Sequence, residues 1–164
     1  MIHLPIRLID KRGDPFVVRR YEPADRAALE AMYEDFEPKR AAQGLPPSGE
    51  AAVRRWLDRV LARGEHLLVE ADDCVIGHAM LIPMEDGGAE LANFLHQTMR
   101  DRGIGTAMNE IAVELARATG YERIWLSVEP SNRAAVRSYQ KSGFQLLAHS
   151  YWDPEIEMEV RLRR

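Results

Sequence analysis

A single cysteine, Cys74, stands among the 164 residues, so no intrachain disulfide can form. A reducing compartment, the cytoplasm, is the expected address. Cys74 falls beside a predicted turn and is expected to be incidental rather than a nucleophile. No apolar run approaches the roughly 20 residues of a membrane span. Pro5 and Arg7 interrupt the apolar opening stretch, which therefore does not read as a secretory leader. Basic residues are not in excess: 22 Lys and Arg face 26 Asp and Glu, for a net charge of −4. That balance argues against a nucleic-acid partner. The five histidines lack ligand spacing such as H-x-x-x-H, so no metal site is expected. Repeats, low-complexity tracts and linkers are also missing. The expectation is one domain spanning residues 1–164.

Regular patterns fill the rest. Ile6–Ile9 reads as a short strand or a tail, and Phe16–Tyr21 as the first firm strand. A helix is predicted from Ala24 to Phe36, opened by Pro23, with Leu29, Met32, Tyr33 and Phe36 on one face. Glu37–Ser48 is irregular, broken by Pro38, Gly44, Pro46 and Pro47. Ser48 suits the N-cap of a second helix over Gly49–Arg63. Strands follow at His66–Ala71, Cys74–Ile82 and Glu90–Leu95, the first two joined by Asp72 and Asp73. A long helix, a strand at Arg123–Val128, a helix from Ser131 or Asn132 to Ser142, and a hairpin of Phe144–His149 with Ile156–Leu162 complete the chain. The order β-α-α-β-β-β-α-β-α-β-β describes an α/β domain with a mixed sheet. The strand–helix–strand connection around the long helix implies a right-handed crossover and a parallel neighbour.

The chemistry concentrates before the long helix, in the loop Arg100-Asp101-Arg102-Gly103-Ile104-Gly105. Ile104, Met108, Ile111 and Leu115 form the buried face of that helix, and Gly120 marks its end. A helix start leaves backbone N–H groups without partners and carries partial positive charge. Glycines allow a ligand to approach the backbone, and Arg100 and Arg102 add cationic donors. The pattern describes an anion site suited to a pyrophosphate. By itself it also fits an ordinary glycine turn.

A second pattern lies downstream. Asn132-Arg-Ala-Ala-Val-Arg-Ser-Tyr139-Gln-Lys-Ser-Gly143-Phe144 has the form N-x-x-A-x-x-x-Y-x-x-x-G-F. With R-x-x-G-x-G after the core strands, the chain resembles the GNAT superfamily of acyl-CoA-dependent N-acyltransferases from about Phe16 to Leu162. Two departures stand out: Leu95-His96-Gln97 replaces the common V-x-P, and Arg100 replaces the commoner Gln.

The resemblance implies a GNAT-like single domain, a mixed, mostly antiparallel sheet with splayed strands flanked by helices, using acetyl-CoA as cosubstrate. It implies that Leu95, Gln97, Arg100, Asp101, Arg102, Gly103, Ile104, Gly105 and Thr106 line the coenzyme A path, the loop N–H groups holding the pyrophosphate. Asn132 would contact the cofactor, and Tyr139 would approach its sulfur as general acid. Glu90 is the candidate base, as the only carboxylate in the central strand. Strands often begin with a charged residue, and that ordinary reading stays open. His96 is an alternative proton carrier, and Trp56 and Trp125 are expected in the core. Glu34, Asp35 and Glu37 form an acidic cluster that is either solvated or attracts a cationic amine. The expected activity is N-acetyl transfer to a small-molecule or protein amine, with homodimerisation frequent in the family. A coenzyme A-binding sensor without turnover is the competing reading. A Rossmann-type nucleotide site is disfavoured, because the loop follows several antiparallel strands rather than the first strand.

Overall fold

The computed structural model describes residues 1–38, 46–148 and 152–162. Strands β1 (Ile6–Ile9) and β2 (Pro15–Arg20) pair antiparallel and precede helices α1 (Arg26–Asp35) and α2 (Glu50–Val60). Then come β3 (Glu65–Ala71), β4 (Cys74–Pro83), β5 (Ala89–Leu95), α3 (Ile104–Thr119), β6 (Arg123–Val128), α4 (Arg133–Lys141), β7 (Gln145–Leu146) and β8 (Ile156–Arg161). One sheet holds the eight strands of the described residues in the order β1-β2-β3-β4-β5-β6-β8-β7. Among the described residues only β5 and β6 run parallel, and α3 makes the crossover between them.

The helices divide between the two sheet faces. Ile104, Met108, Ile111, Leu115 and Ala116 of α3 pack with Leu91, Ile124, Leu126 and Met158. On the other face Leu29, Met32 and Tyr33 of α1 and Val53 and Leu57 of α2 cover Leu68, Met80 and Phe94. The period-two alternation of β5 serves both cores, since Leu91 and Phe94 point to opposite sides.

Several boundaries differ from the sequence reading. The ambiguous Ile6–Ile9 is an edge strand, so among the described residues five strands rather than four precede α3. Ser48 does not cap α2. Gly49 takes that position at φ 96°, without a side-chain cap, and the helix ends at Val60. Pro23–Asp25 forms a separate 3₁₀ turn before α1, because the Asp25 side chain folds back onto the Glu22 N–H at 2.8 Å. The last hairpin is shorter on its first arm, Gln145–Leu146; His149 lies outside the described residues. Asp72 and Asp73 form the two-residue turn, both at positive φ, leaving Cys74 exposed at the start of β4. Trp56 packs edge-on against Tyr33 at 5.1 Å. Trp125 stays outside the core: it is half-buried, opposite Glu90 in register, and its indole N–H donates to Glu157 at 2.8 Å. Period-two alternation sends Ile124 and Leu126 into the α3 core and turns Trp125 to the opposite face.

Gly64 ends the α2 connection at φ 76°. A Cβ there would lie 1.9 Å from the Leu81 carbonyl oxygen, which belongs to the sheet backbone and cannot retreat alone. Gly64→Ala is expected to cost at least about 3 kcal/mol, from positive-φ strain plus the clash. Thermal unfolding should show a melting temperature lower by on the order of 10 °C.

Candidate active site

The site begins where β5 and β6 part. They pair only at Ala89 with Ile124 and Glu90 with Trp125. Beyond those pairs β5 stays with β4 as far as Leu95, while β6 follows β8 as far as Val128. The His96 N–H donates to the Ile76 carbonyl at 2.8 Å. Alternation along an antiparallel ladder therefore turns the Leu95 and Asn93 N–H groups toward the gap. A polar edge of β5 thus faces a crevice rather than a strand.

The loop at the end of this edge is shaped for an anion. Asp101 and Gly103 take left-handed backbone angles of φ 62° and 83°. The first intrahelical bond of α3 runs from the Ala107 N–H to the Gly103 carbonyl at 3.2 Å. Before it, the N–H groups of Gly103, Ile104, Gly105 and Thr106 have no acceptor among the described residues. The Ile104 side chain is fully buried, so only its N–H can serve a ligand. A Cβ on Gly105 would meet nothing within 4 Å, so no protein atom demands glycine there; the open side suits close approach of a ligand.

The arginine side chains go elsewhere. Arg100 donates to the Leu95 carbonyl at 3.2 Å and the Glu37 carbonyl at 2.5 Å, and lies over the Phe36 ring at 5.4 Å. Arg102 ion-pairs with Asp10 at 3.5 Å and Asp14 at 3.6 Å. Burial pushes the Asp10 carboxyl up, but N–H bonds from Asp14 and Arg12 and the Arg102 guanidinium hold it below its usual range. Gln97 bridges the Asp35 carbonyl at 2.6 Å and the Glu37 N–H at 2.9 Å. His96 donates from Nε2 to Asp35 at 2.7 Å, while its Nδ1 meets the Thr98 hydroxyl at 2.7 Å. Both ring nitrogens are engaged, which leaves His96 as a brace. Asp35 and Glu37 of the acidic cluster thus stitch the end of α1 to the β5–α3 loop.

Tyr139 reaches the crevice from α4. Asn132 caps that helix, its side-chain oxygen accepting from the Ala135 N–H at 3.2 Å. At the other end Gly143 sits at φ 97°, with its N–H on the Gln140 carbonyl at 3.1 Å and the Phe144 N–H on the Tyr139 carbonyl at 3.0 Å. This double bond pattern is a Schellman cap, completed by contact of the Tyr139 and Phe144 rings at 5.6 Å. The Y-x-x-x-G-F spacing is therefore the device that fixes the tyrosine. Its hydroxyl donates to Asn93 Oδ1 at 3.4 Å, and burial pushes its pKa up to about 12.

Asn93 continues inward. Its amide donates to Asn109, whose own amide donates to Ser138 at 3.0 Å, and Ser138 bonds Thr106 at 2.9 Å. The chain joins the tyrosine to the first turn of α3. Asn93, Asn109 and Ser138 were not among the residues expected from the sequence. Their signal was polarity inside apolar patterns: Asn93 between Ala92 and Phe94, Asn109 beside the buried stripe of α3.

Glu90 occupies the opposite face of β5 from Asn93. It is exposed at its tip, yet partial desolvation and the nearby Glu155 raise its pKa above the usual carboxylate value. Glu90 and Leu95 are five residues apart along β5, about 16 Å of strand.

A bare helix start beside the unpaired edge of a split sheet, with a buried tyrosine between them, defines a fold class that binds an extended anionic cosubstrate. The chain belongs to the acetyltransferase (GNAT) family, whose model matches residues 28–144. The family transfers acetyl groups from acetyl-CoA. An uncharacterized N-acetyltransferase of Mycobacterium bovis is 32% identical over 81 residues, 49% of this chain and 52% of the relative. The chain thus spans about half the length of the curated relatives it matches. In fold it is similar to the GNAT domain of S. lividans PAT, with a TM-score of 0.78 at 18% identity over 96% of this chain and 97% of that one. It also resembles yncA, a putative acetyltransferase from Salmonella typhimurium whose structure contains acetyl-CoA, with a TM-score of 0.72 at 17% identity over 90% and 94% of the two chains. No helix among the described residues is long and apolar enough to cross a membrane.

Proposed function

We propose that this chain is an N-acetyltransferase that passes the acetyl group of acetyl-CoA to a primary amine, on a small molecule or a protein, by direct attack. The observation that carries the reading is the set of four unpaired N–H groups at the start of α3 beside the unpaired edge of β5, with the Tyr139 hydroxyl bonded to Asn93 of that strand. Acetyl-CoA supplies a thioester whose carbonyl carbon accepts the amine and whose sulfur departs. The loop N–H groups anchor the pyrophosphate, with Asn132 near the cofactor. The Leu95 N–H stabilises negative charge developing on the carbonyl oxygen. The Tyr139 hydroxyl remains protonated at every working pH and donates to the departing sulfur. Glu90, on the opposite face, takes the amine proton through water, because its distance from Leu95 excludes direct contact. Placing acid and base on opposite faces lets each meet its own reactant where the strands separate. Side-by-side binding supplies much of the rate, and no covalent intermediate is needed.

Thiol release from acetyl-CoA, measured against a panel of amines and peptides, tests the function. Turnover with at least one amine supports it. Coenzyme A binding without thiol release from any acceptor would favour the sensor reading. Within that assay, Glu90→Gln is expected to lose about a hundredfold at neutral pH, the lower end of the worth of a general base. The deficit should shrink toward pH 10, where the free amine forms unaided. A loss that does not vary with pH would reduce Glu90 to a structural role. The enzyme is expected to act in the cytoplasm, and homodimerisation is part of the proposal.

A further inference from the structure

We propose that Lys11 is a phosphate ligand of coenzyme A, a cation delivered to the α3 loop by the β1–β2 turn. The inference rests on the reading of that loop as the acyl-CoA site. The turn is fastened to the loop by its backbone: the Lys11 N–H donates to the Arg102 carbonyl at 2.9 Å. Asp10 rigidifies it from within, accepting from the Arg12 N–H at 2.8 Å and the Asp14 N–H at 3.0 Å, while its other oxygen faces Arg102. The Lys11 stem crosses Gly103. A Cβ built on that glycine would stand 3.2 Å from Lys11 Cε and 3.4 Å from Cγ. The ammonium is one bond beyond Cε, which puts it within reach of an anion held at the first unpaired N–H groups of α3.

Charge points the same way. Arg100 is held by two carbonyls and an aromatic ring, and Arg102 by Asp10 and Asp14. Lys11 is exposed, and its ammonium has no ion-pair or hydrogen-bond partner among the described residues. The cations expected from the loop motif are thus committed to the fold, while one from the N-terminal hairpin stands uncommitted at the same place. A compact ammonium on a flexible stem suits a phosphate oxygen, which needs a point charge rather than a planar fork. The β1–β2 turn acquires a role by this placement, as the support that carries Lys11 to the loop.

Calorimetric binding of coenzyme A and of 3′-dephospho-coenzyme A to the wild-type, Lys11→Gln, Lys11→Arg and Arg12→Gln proteins tests the proposal. Lys11→Gln should weaken coenzyme A about tenfold at low salt, the range of a charge-assisted contact. Its melting temperature without ligand should equal that of the wild type, Lys11→Arg should retain most of the affinity, and high salt should narrow the difference. Arg12→Gln removes the same charge from the same turn and should change affinity by less than about twofold. An equal loss for both ligands assigns Lys11 to the pyrophosphate, and a loss confined to coenzyme A assigns it to the 3′-phosphate; either supports the proposal. Unchanged affinity in Lys11→Gln, or an equal loss in Arg12→Gln, overturns it and leaves the cofactor reading standing. If the wild type binds neither ligand, both fall.

Discussion

Replacing Tyr139 by Phe is expected to lower turnover about a hundredfold while coenzyme A affinity changes little, since a lost general acid costs at least that much. The substitution removes one oxygen and keeps the ring. The Schellman cap at Gly143 and the Phe144 contact hold the substituted ring as they hold the tyrosine, so α4 should not move. The hydroxyl's partner in the protein is Asn93 at 3.4 Å, a long bond whose loss costs little stability. Rate and fold are therefore separable at this position. The pH profile provides a second check. A hydroxyl with its pKa near 12 adds no ionisation below pH 10, so the basic limb of the profile should survive in the variant with its position unchanged. Steady-state kinetics with acetyl-CoA and thiol detection measure both quantities. A large affinity loss with unchanged turnover would make Tyr139 a binding residue instead.

The second large effect is on stability and does not involve the site. Three buried groups lie in line beneath α1. The Arg63 carbonyl accepts from His66 Nε2 at 2.8 Å, His66 Nδ1 meets His78 Nε2 at 3.0 Å, and His78 Nδ1 meets the Tyr33 hydroxyl at 2.6 Å. One donor direction satisfies all three contacts: each ring donates from Nε2 and accepts at Nδ1, and Tyr33 donates. No proton can be added without breaking a link. Desolvation, then repulsion from His66, depresses His78 from its ordinary value of 6.5 to about 3. Desolvation lowers His66 as well. His78 remains neutral in the fold and becomes charged in the unfolded chain below pH 6.5. The unfolded state then binds more protons, so stability is full above pH 6.5 and is lost as the pH falls toward 3. The slope from His78 alone is about 1.4 kcal/mol per pH unit, or about 3 kcal/mol between pH 6.5 and 4.

Other titrating groups act elsewhere or more weakly. Asp25 and Asp86, held low chiefly by Arg19 and Arg123, lose their contributions only below the carboxylate range. Glu90, shifted up, acts with the opposite sign, but its exposed tip limits its weight. Urea unfolding between pH 7.5 and 4.5 measures the slope. His78→Leu should lower stability at neutral pH, because Tyr33 and His66 lose partners, and should flatten the acid dependence. Wild-type stability that stays level from pH 7.5 to 5 would contradict the account.

Local rules were enough for much of the molecule. The four- and three-residue spacing of Ile104, Met108, Ile111 and Leu115 identified α3 and its buried face, because a helix repeats every 3.6 residues wherever it packs. Asp72 and Asp73 marked their turn, and Gly120 the end of α3, because backbone sterics act within a few residues. Tyr139, Gly143 and Phe144 belong to one helix end, so their spacing was legible as a motif before its capping role was visible.

Tertiary structure alone decided where long side chains spend their charge. Arg100 and Arg102 stand in the loop and read as anion donors, yet their guanidiniums turn to Glu37 and Asp10, partners 63 and 92 positions away in the numbering (100 − 37 and 102 − 10). Lys11 comes to the same loop from the far end of the sequence through a hairpin at the sheet edge. The gap between β5 and β6 was likewise invisible in either strand, since each is well formed and only their pairing ends. Ser48 failed as a cap because Gly49 could adopt the open angle that starts α2. Backbone preference and hydrophobic period are written in neighbouring residues. The direction of a four-carbon side chain, and the point where two strands part, depend on which distant groups the packed sheet brings within a few ångströms.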